Sequence, residues 1–353
     1  MFKTAIAGCG LISTQKHIPI LRSLKDEVAI VGICDLNEDN LRKAAVEFKV
    51  PNAYKDLTDM ISEQRPDLVI VCTPPRTHAE LAVQAMEGGA HVLVEKPMAV
   101  SVADCDRMVE ASVQYGKRLG VMHNQVFNPA VERARSLVSS GSLGEFLGMR
   151  VFLSTGVDYM TSRQEHWAHR LPGGVVGETG PHAVYLSLAF LDEVGDVQLR
   201  ARKLLPEYPW SVAEDIRFDL IADNGMSSVT LTYGSIHMAA ELDIICSRAL
   251  LKLDLQSRTL VKHERPGPYS TMGVIGRSVL GTAYQMVGSL VANAARSAFS
   301  RGLDPHYVGM KRFLDYLTGD VDYPATGVDG RQTVAVMEMI VQKMRENAAI
   351  RSP

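Results

Sequence analysis

The chain has 353 residues, enough for two domains at roughly 150 residues each. Its 37 Lys and Arg nearly cancel its 40 Asp and Glu, with 22% charged and 46% hydrophobic residues, which excludes a disordered chain, a fibrous repeat and a strongly basic nucleic-acid binder. Five cysteines, Cys9, Cys34, Cys72, Cys105 and Cys246, are odd in number and contain no C-x-x-C pair, so neither a disulfide framework nor a zinc site is expected.

Met1 leads straight into a strand without a charged and apolar leader, so a reducing, cytoplasmic setting is expected. Apolar runs at 3–7, 28–34, 68–72 and 91–94 predict strands. The stretches 15–24, 37–48, 57–63 and 77–87 have helical spacing, and Gly88-Gly89 stops the last of them. Strands alternating with helices of this length make an α/β, doubly wound parallel sheet covered on both faces. Between the first strand and helix lies Gly8-x-Gly10-x-x-Ser13, with Leu11 and Ile12 inside it. Gly8 permits a tight turn, Gly10 lets the backbone approach a pyrophosphate, and Ser13 is small enough for helix–strand packing. Asp35 follows at the end of the next strand, where an acid accepts the ribose hydroxyls and repels a 2′-phosphate. With no Arg or Lys before Arg42, NAD is favoured over NADP.

The fourth strand runs into Glu95-Lys96-Pro97. A Lys at the carboxyl end of a parallel strand stands where such sheets bind ligands and can polarise or protonate a substrate oxygen; on spacing alone it reads equally as a surface Lys before a helix at 102–112. Gly8-Cys9-Gly10, Asp35, Thr73-Pro74 with His78, and Glu95-Lys96-Pro97, in this order, resemble the Gfo/Idh/MocA oxidoreductases. The resemblance implies a first domain over 1–122 with cofactor contacts from Gly8, Gly10, Leu11, Ile12, Asp35, Thr73, Pro74, His78, Glu95, Lys96 and Asn124. It also places His123, with Asn124, at the junction of nicotinamide and substrate, although the Arg often found two residues after that Asn is here Val126.

The remainder, 123–353, reads as an α+β domain. A helix opens at Asn128-Pro129 and runs to about Ser140. Alternating runs follow at 146–154, 197–204, 216–222, 228–233, 240–246, 250–255 and 259–263, with Asp223-Asn224-Gly225 as a hairpin turn. They predict a large, mostly antiparallel open-faced sheet with helices on one side. The resemblance implies that its other face pairs with further copies as a homodimer or homotetramer. The segment Gly173–His182 resembles the family's Gly-rich stretch opening a helix, with His182 at the His position, Glu178 where an Asp is usual and Tyr185 where a further acid is expected. Residues 178, 182 and 185 share a helical face, provided Pro181 lies in the first turn. By resemblance His182 and Lys96 carry the proton transfer, with Glu178 beside them; an imidazole of ordinary pKa about 6.5 suits a general base. Upstream, Arg163, Trp167, His169 and Arg170 offer a stacking face and cations for a sugar-like substrate, or else form a solvated loop.

From Arg265 to Leu303 the sequence holds no acid and four arginines, Arg265, Arg277, Arg296 and Arg301. Its apolar pairs recur at helical spacing from 279 to 299. This stripe reads as core or subunit packing; the alternative is a peripheral contact of 274–300 with an anionic membrane, or a cover for a lipid-linked substrate. Helices at 305–317 and 333–347 close the chain, the last expected to pack across the domain boundary. The function expected is hydride transfer between NAD and a secondary alcohol of a sugar, sugar nucleotide or cyclitol. The rivals are an NAD-retaining redox-assisted elimination and a non-catalytic NAD- or sugar-sensing protein.

Overall fold

The computed structural model describes residues 1–264, 271–299, 304–319 and 321–350. Its first sheet contains β1 (Phe2–Ala7), β2 (Val28–Cys34), β3 (Ala53–Tyr54), β4 (Leu68–Val71), β5 (His91–Glu95) and β6 (Leu119–Met122), interleaved with α1 (Ile18–Ser23), α2 (Glu38–Phe48), α3 (Leu57–Gln64), α4 (His78–Glu87) and α5 (Val102–Gln114). All strands are parallel in the order β3-β2-β1-β4-β5-β6. The order reverses between β1 and β4, which is where doubly wound sheets bind ligands. The central strands are buried on both faces: Ile6, Val69, Ile70, Val92 and Val94 are all fully enclosed. Helix starts are chemically marked. The side chains of Asn37, Asp56 and Ser101 accept amide bonds from the first turns of α2, α3 and α5. Two of the six strands, β3 and β6, are missed by periodicity: β3 is only two residues long, and Gly120 breaks the apolar run of β6. The helix expected over 15–24 is instead a π turn at Ser13–His17 followed by α1, with Pro19, which has no N–H to donate, in the first turn of α1.

The second sheet follows α6 (Pro129–Ser139) and holds β7 (Phe146–Ser154), then α7 (Val176–Leu188), then β8 (Val194–Arg202), β9 (Asp215–Ala222), β10 (Gly225–Thr232), β11 (Ala239–Cys246), β12 (Ala249–Asp254) and β13 (Thr259–Glu264). Its order is β13-β12-β11-β7-β10-β9-β8, antiparallel except for β7 against β10. Inward residues alternate along the strands: Val151 and Leu153, Phe218 and Leu220, Val229 and Leu231, and Leu251 and Leu253 are buried. The opposite face carries Arg150, Asp243 and Lys252 as ion pairs of 3.3 and 3.8 Å, together with partly exposed Phe152 and Ile245. Next come α8 (Thr271–Phe299), α9 (Pro305–Thr318) and α10 (Gly327–Ile350). Arg265 and Arg301 lie outside the described residues.

Two compact units result, Met1–Asn124 with His306–Ala335, and Gln125–Pro305 with Val336–Pro353. In the first, the returning segment covers the exposed edge of β6. The Val121 amide donates to the Ala325 carbonyl at 2.8 Å, and the Tyr323 hydroxyl donates to the Val121 carbonyl at 3.1 Å. A side chain at Gly120 would meet the Phe313 ring at 2.5 Å, so only glycine allows this approach. α10 begins at Gly327, six residues before the predicted start. Thr326 and Asp329 cap it reciprocally, and Gly327 and Gly330 lie against Leu119 and Val121.

Candidate active site

Five strand ends of the first unit carry the candidate cofactor residues. Gly8 follows β1, Asp35 follows β2, Thr73 and Pro74 lie just beyond β4, Lys96 follows β5, and His123 and Asn124 follow β6. Gly8 has φ +97°, and a Cβ there would lie 2.7 Å from the Cys72 carbonyl carbon and oxygen. Gly10 is different: its virtual Cβ meets nothing within 4 Å. The open space is the cradle that backbone approach to a pyrophosphate requires. Leu11, 67% exposed, and half-buried Ile12 open the helical turn behind it, and the buried Ser13 hydroxyl returns to the Gly10 carbonyl at 3.3 Å.

The Asp35 carboxylate accepts the Cys9 amide on one oxygen and the Asn37 amide on the other, both at 2.7 Å. A carboxylate has about four acceptor sites, so two remain for a pair of ribose hydroxyls. The residues present therefore fit a dinucleotide. Burial, and then the Asp35 charge, pushes the Cys9 and Cys34 thiols up to about 12, so both are inert core residues.

His78 departs from expectation. It has no exposed surface, and its ring nitrogens lie 2.7 Å from the Thr73 carbonyl and 3.0 Å from the Pro97 carbonyl. Its imidazole ties the loop after β4 to the loop after β5 and presents nothing to a cofactor. Burial holds its pKa below the ordinary imidazole value. Glu95 is likewise buried. One oxygen lies 2.6 Å from His17 Nε2, and the other accepts the Lys96 amide at 3.1 Å. Burial opposes both charges. Cys72 and Glu95 nevertheless hold His17 up at about 10, while His17, His306 and Lys96 hold Glu95 down at about 2. Glu95 thus positions the Lys96 backbone, in place of the cofactor contact expected of it. His17, in the π turn, had no motif to mark it; its one sequence signal was its place on the inward face of a helical pattern.

In the second unit, Glu178, His182 and Tyr185 share one face of α7, as their spacing predicts. Pro181, however, is the sixth residue of α7 and not in its first turn. The glycines before it have packing reasons: a Cβ at Gly173 would meet Val341 at 3.0 Å, one at Gly177 the Pro172 carbonyl oxygen at 2.5 Å, and one at Gly180 Met337 at 2.9 Å. Half-buried His182 has Nδ1 on the Tyr185 hydroxyl, and the same hydroxyl oxygen accepts the Gln125 amide at 3.2 Å. Tyr185 is 2% exposed, so it orients His182 instead of meeting a substrate. The Glu178 carboxylate accepts the Thr179 hydroxyl at 2.9 Å.

The loop upstream divides. Trp167 is 43% exposed and stacks on His166, which tilts against Tyr159, making a continuous aromatic face. Arg163 is exposed. His169, in contrast, is fixed by Nε2 on the Met160 carbonyl at 3.1 Å, and Arg170 pairs loosely with Glu165 at 3.9 Å.

A family model described as "Oxidoreductase family, NAD-binding Rossmann fold" matches residues 2–123, and one described as "GFO/IDH/MocA C-terminal domain" matches residues 131–251. The chain is 31% identical over 143 residues to a myo-inositol 2-dehydrogenase of Thermotoga maritima, covering 40% of this chain and 42% of that protein. It is 28% identical over 242 residues to a D-apiose dehydrogenase of Paraburkholderia graminis, covering 68% of this chain and 63% of that one. The matched stretches thus span about half the length of these relatives. Among solved structures, the WlbA dehydrogenase from Bordetella pertussis, in complex with NADH and UDP-GlcNAcA, superposes with a TM-score of 0.80 at 20% identity, over 98% of this chain and 96% of that one.

Proposed function

The chain belongs to the GFO/IDH/MocA oxidoreductase family, and from that premise we propose that it is an NAD-dependent dehydrogenase of a secondary alcohol on a sugar, sugar nucleotide or cyclitol. The observation that carries this reading is the grouping of Gly8, Gly10, Asp35, Thr73 and Lys96 at the carboxyl ends of four strands around the point where the strand order reverses.

Gly8 and Gly10 would hold the pyrophosphate, and Asp35 the adenosine ribose. NAD, when bound, supplies a hydride acceptor. His182 takes the hydroxyl proton at Nε2 while Nδ1–H donates to the Tyr185 oxygen, whose lone pairs also receive the Gln125 amide. Lys96 donates to the same substrate oxygen and stabilises the charge that develops there. With NAD bound as that acceptor, oxidation to the ketone would leave the hydroxyl proton on His182. Trp167, with His166 behind it, supplies the face on which a sugar ring stacks, and Arg163 is the exposed cation for an anionic substituent. The sheet face bearing Phe152, Ile245 and the Arg150–Asp243 pair is the surface for self-association. The five cysteines, all buried and none in a disulfide, suit a reducing compartment such as the cytoplasm.

The test is growth of NADH absorbance when the protein and NAD are offered a panel of sugars, sugar acids, sugar nucleotides and inositols. At least one member is expected to reduce NAD with saturable kinetics. Tight NAD binding with no reduction by any member would overturn the dehydrogenase reading. Turnover of a substrate without net NADH would replace it with redox-assisted elimination.

A further inference from the structure

α8 meets its own unit with its polar side. Between 278 and 295 its sheltered positions are Gly281, Thr282, Gln285, Ser289 and Asn293. Gln285 grips the edge strand β13 as another strand would: its Oε1 accepts the Lys262 amide at 2.8 Å and its Nε2 donates to the Lys262 carbonyl at 3.0 Å. Asn293 Nδ2 donates to the Ser257 and Arg258 carbonyls at 3.0 and 3.2 Å. An edge strand needs such partners, and the helix provides them.

The consequence is an apolar stripe turned outward. Val279, Leu280, Tyr284, Val287, Leu290 and Val291 are 60 to 81% exposed. At roughly 100 Å² each they offer about 600 Å², the upper end of what a soluble monomer shows, where such patches are often functional. The stripe is therefore not core, which leaves subunit packing or a membrane contact from the readings its periodicity allows.

Charge selects the occupant. Residues 265–303 contain four of the 37 cations and none of the 40 acids, so the rest of the chain carries seven acids in excess. Two copies of this segment laid together would bring only cations to cations. An anionic surface meets only opposite charge. No helix among the described residues is long and apolar enough to cross a membrane, so the contact is peripheral.

We propose that α8 is a membrane-docking helix that lies in the headgroup layer of an anionic bilayer, its apolar stripe toward the acyl chains and Gln285 and Asn293 holding it to the sheet edge. This goes beyond the dehydrogenase reading and stands or falls independently of it. The test is co-sedimentation of the full chain with vesicles of phosphatidylcholine, with and without one third phosphatidylglycerol. Binding is expected to be at least about 10-fold tighter to the anionic vesicles and to weaken as salt is raised. The triple variant Leu280→Asp, Val287→Asp, Leu290→Asp is expected to lose about 10-fold or more of that binding while keeping NAD affinity. A Tyr284→Trp variant, which keeps the stripe apolar, should show a blue-shifted emission on anionic vesicles alone. Equal or absent binding to both vesicle types, with no emission shift, overturns the proposal. So does a wild-type oligomer that the triple variant dissolves in sedimentation velocity without any vesicle binding, which would make the stripe a contact between copies.

Discussion

Gly8 and Gly10 stand two residues apart and are glycine for different reasons. Gly8 is demanded by the fold: φ is +97°, and the Cys72 carbonyl is 2.7 Å from where a side chain would begin. Gly8→Ala should lower unfolding free energy by about 1–3 kcal/mol or more in urea titration. Gly10 is unconstrained by its neighbours, so Gly10→Ala should leave the melting temperature almost unchanged while weakening NAD binding about 10-fold or more by calorimetry. Equal NAD affinity in that variant would take the pyrophosphate away from this loop. Tyr185 makes a comparable point in the second unit. Its hydroxyl fixes His182, so Tyr185→Phe should lower kcat roughly 10- to 100-fold with a smaller effect on KM, as expected for a misplaced base. The sequence indicated these positions by spacing. It assigned His78 to the cofactor and Tyr185 to the substrate; that both face the protein instead depends on carbonyls and hydroxyls brought from distant segments.

At the scale of elements, the His17–Glu95 pair joins the π turn to β5, directly before Lys96. Glu95, held at about 2, contributes stability in full above its ordinary 4.5, and loses it as the pH falls toward 2. His17, held at about 10, contributes in full below its ordinary 6.5, and loses it as the pH rises toward 10. The stability difference between wild type and a His17→Gln, Glu95→Gln double variant should therefore be most favourable to wild type between pH 4.5 and 6.5 and shrink on both sides. His17→Gln alone should cost about 3–5 kcal/mol, since it leaves a buried carboxylate unpaired. A flat difference across pH would show that the pair is not ionised. Strand and helix positions were largely legible from periodicity, as β7 at Phe146–Ser154 and α2 after its Asn37 cap illustrate. The exceptions have physical causes. β3 is too short to show a period, and α10 starts early because Gly327 and Gly330, poor helix formers, are selected by close packing on β6.

Across the whole molecule, two features could not be read from local pattern. The segment His306–Ala335 completes the first unit from the far end of the chain, and the apolar stripe of α8 faces outward because polar groups at Gln285 and Asn293 won the sheet edge. Periodicity reveals an apolar face without saying what that face meets. The family, the parallel sheet and the glycine turn after β1 were legible because their residues are consecutive or regularly spaced. The proposed proton chemistry assigns Lys96 and His182 to one substrate hydroxyl, and its direct measurement is the kinetics of Lys96→Ala, His182→Ala and the double variant beside their NAD affinities. The account predicts that each single variant loses about 10²–10⁴ in kcat while NAD affinity stays within about threefold, and that the double variant is little worse than the poorer single one. Losses that multiply in the double variant, or that appear only as weakened NAD binding, would contradict a shared role on one hydroxyl.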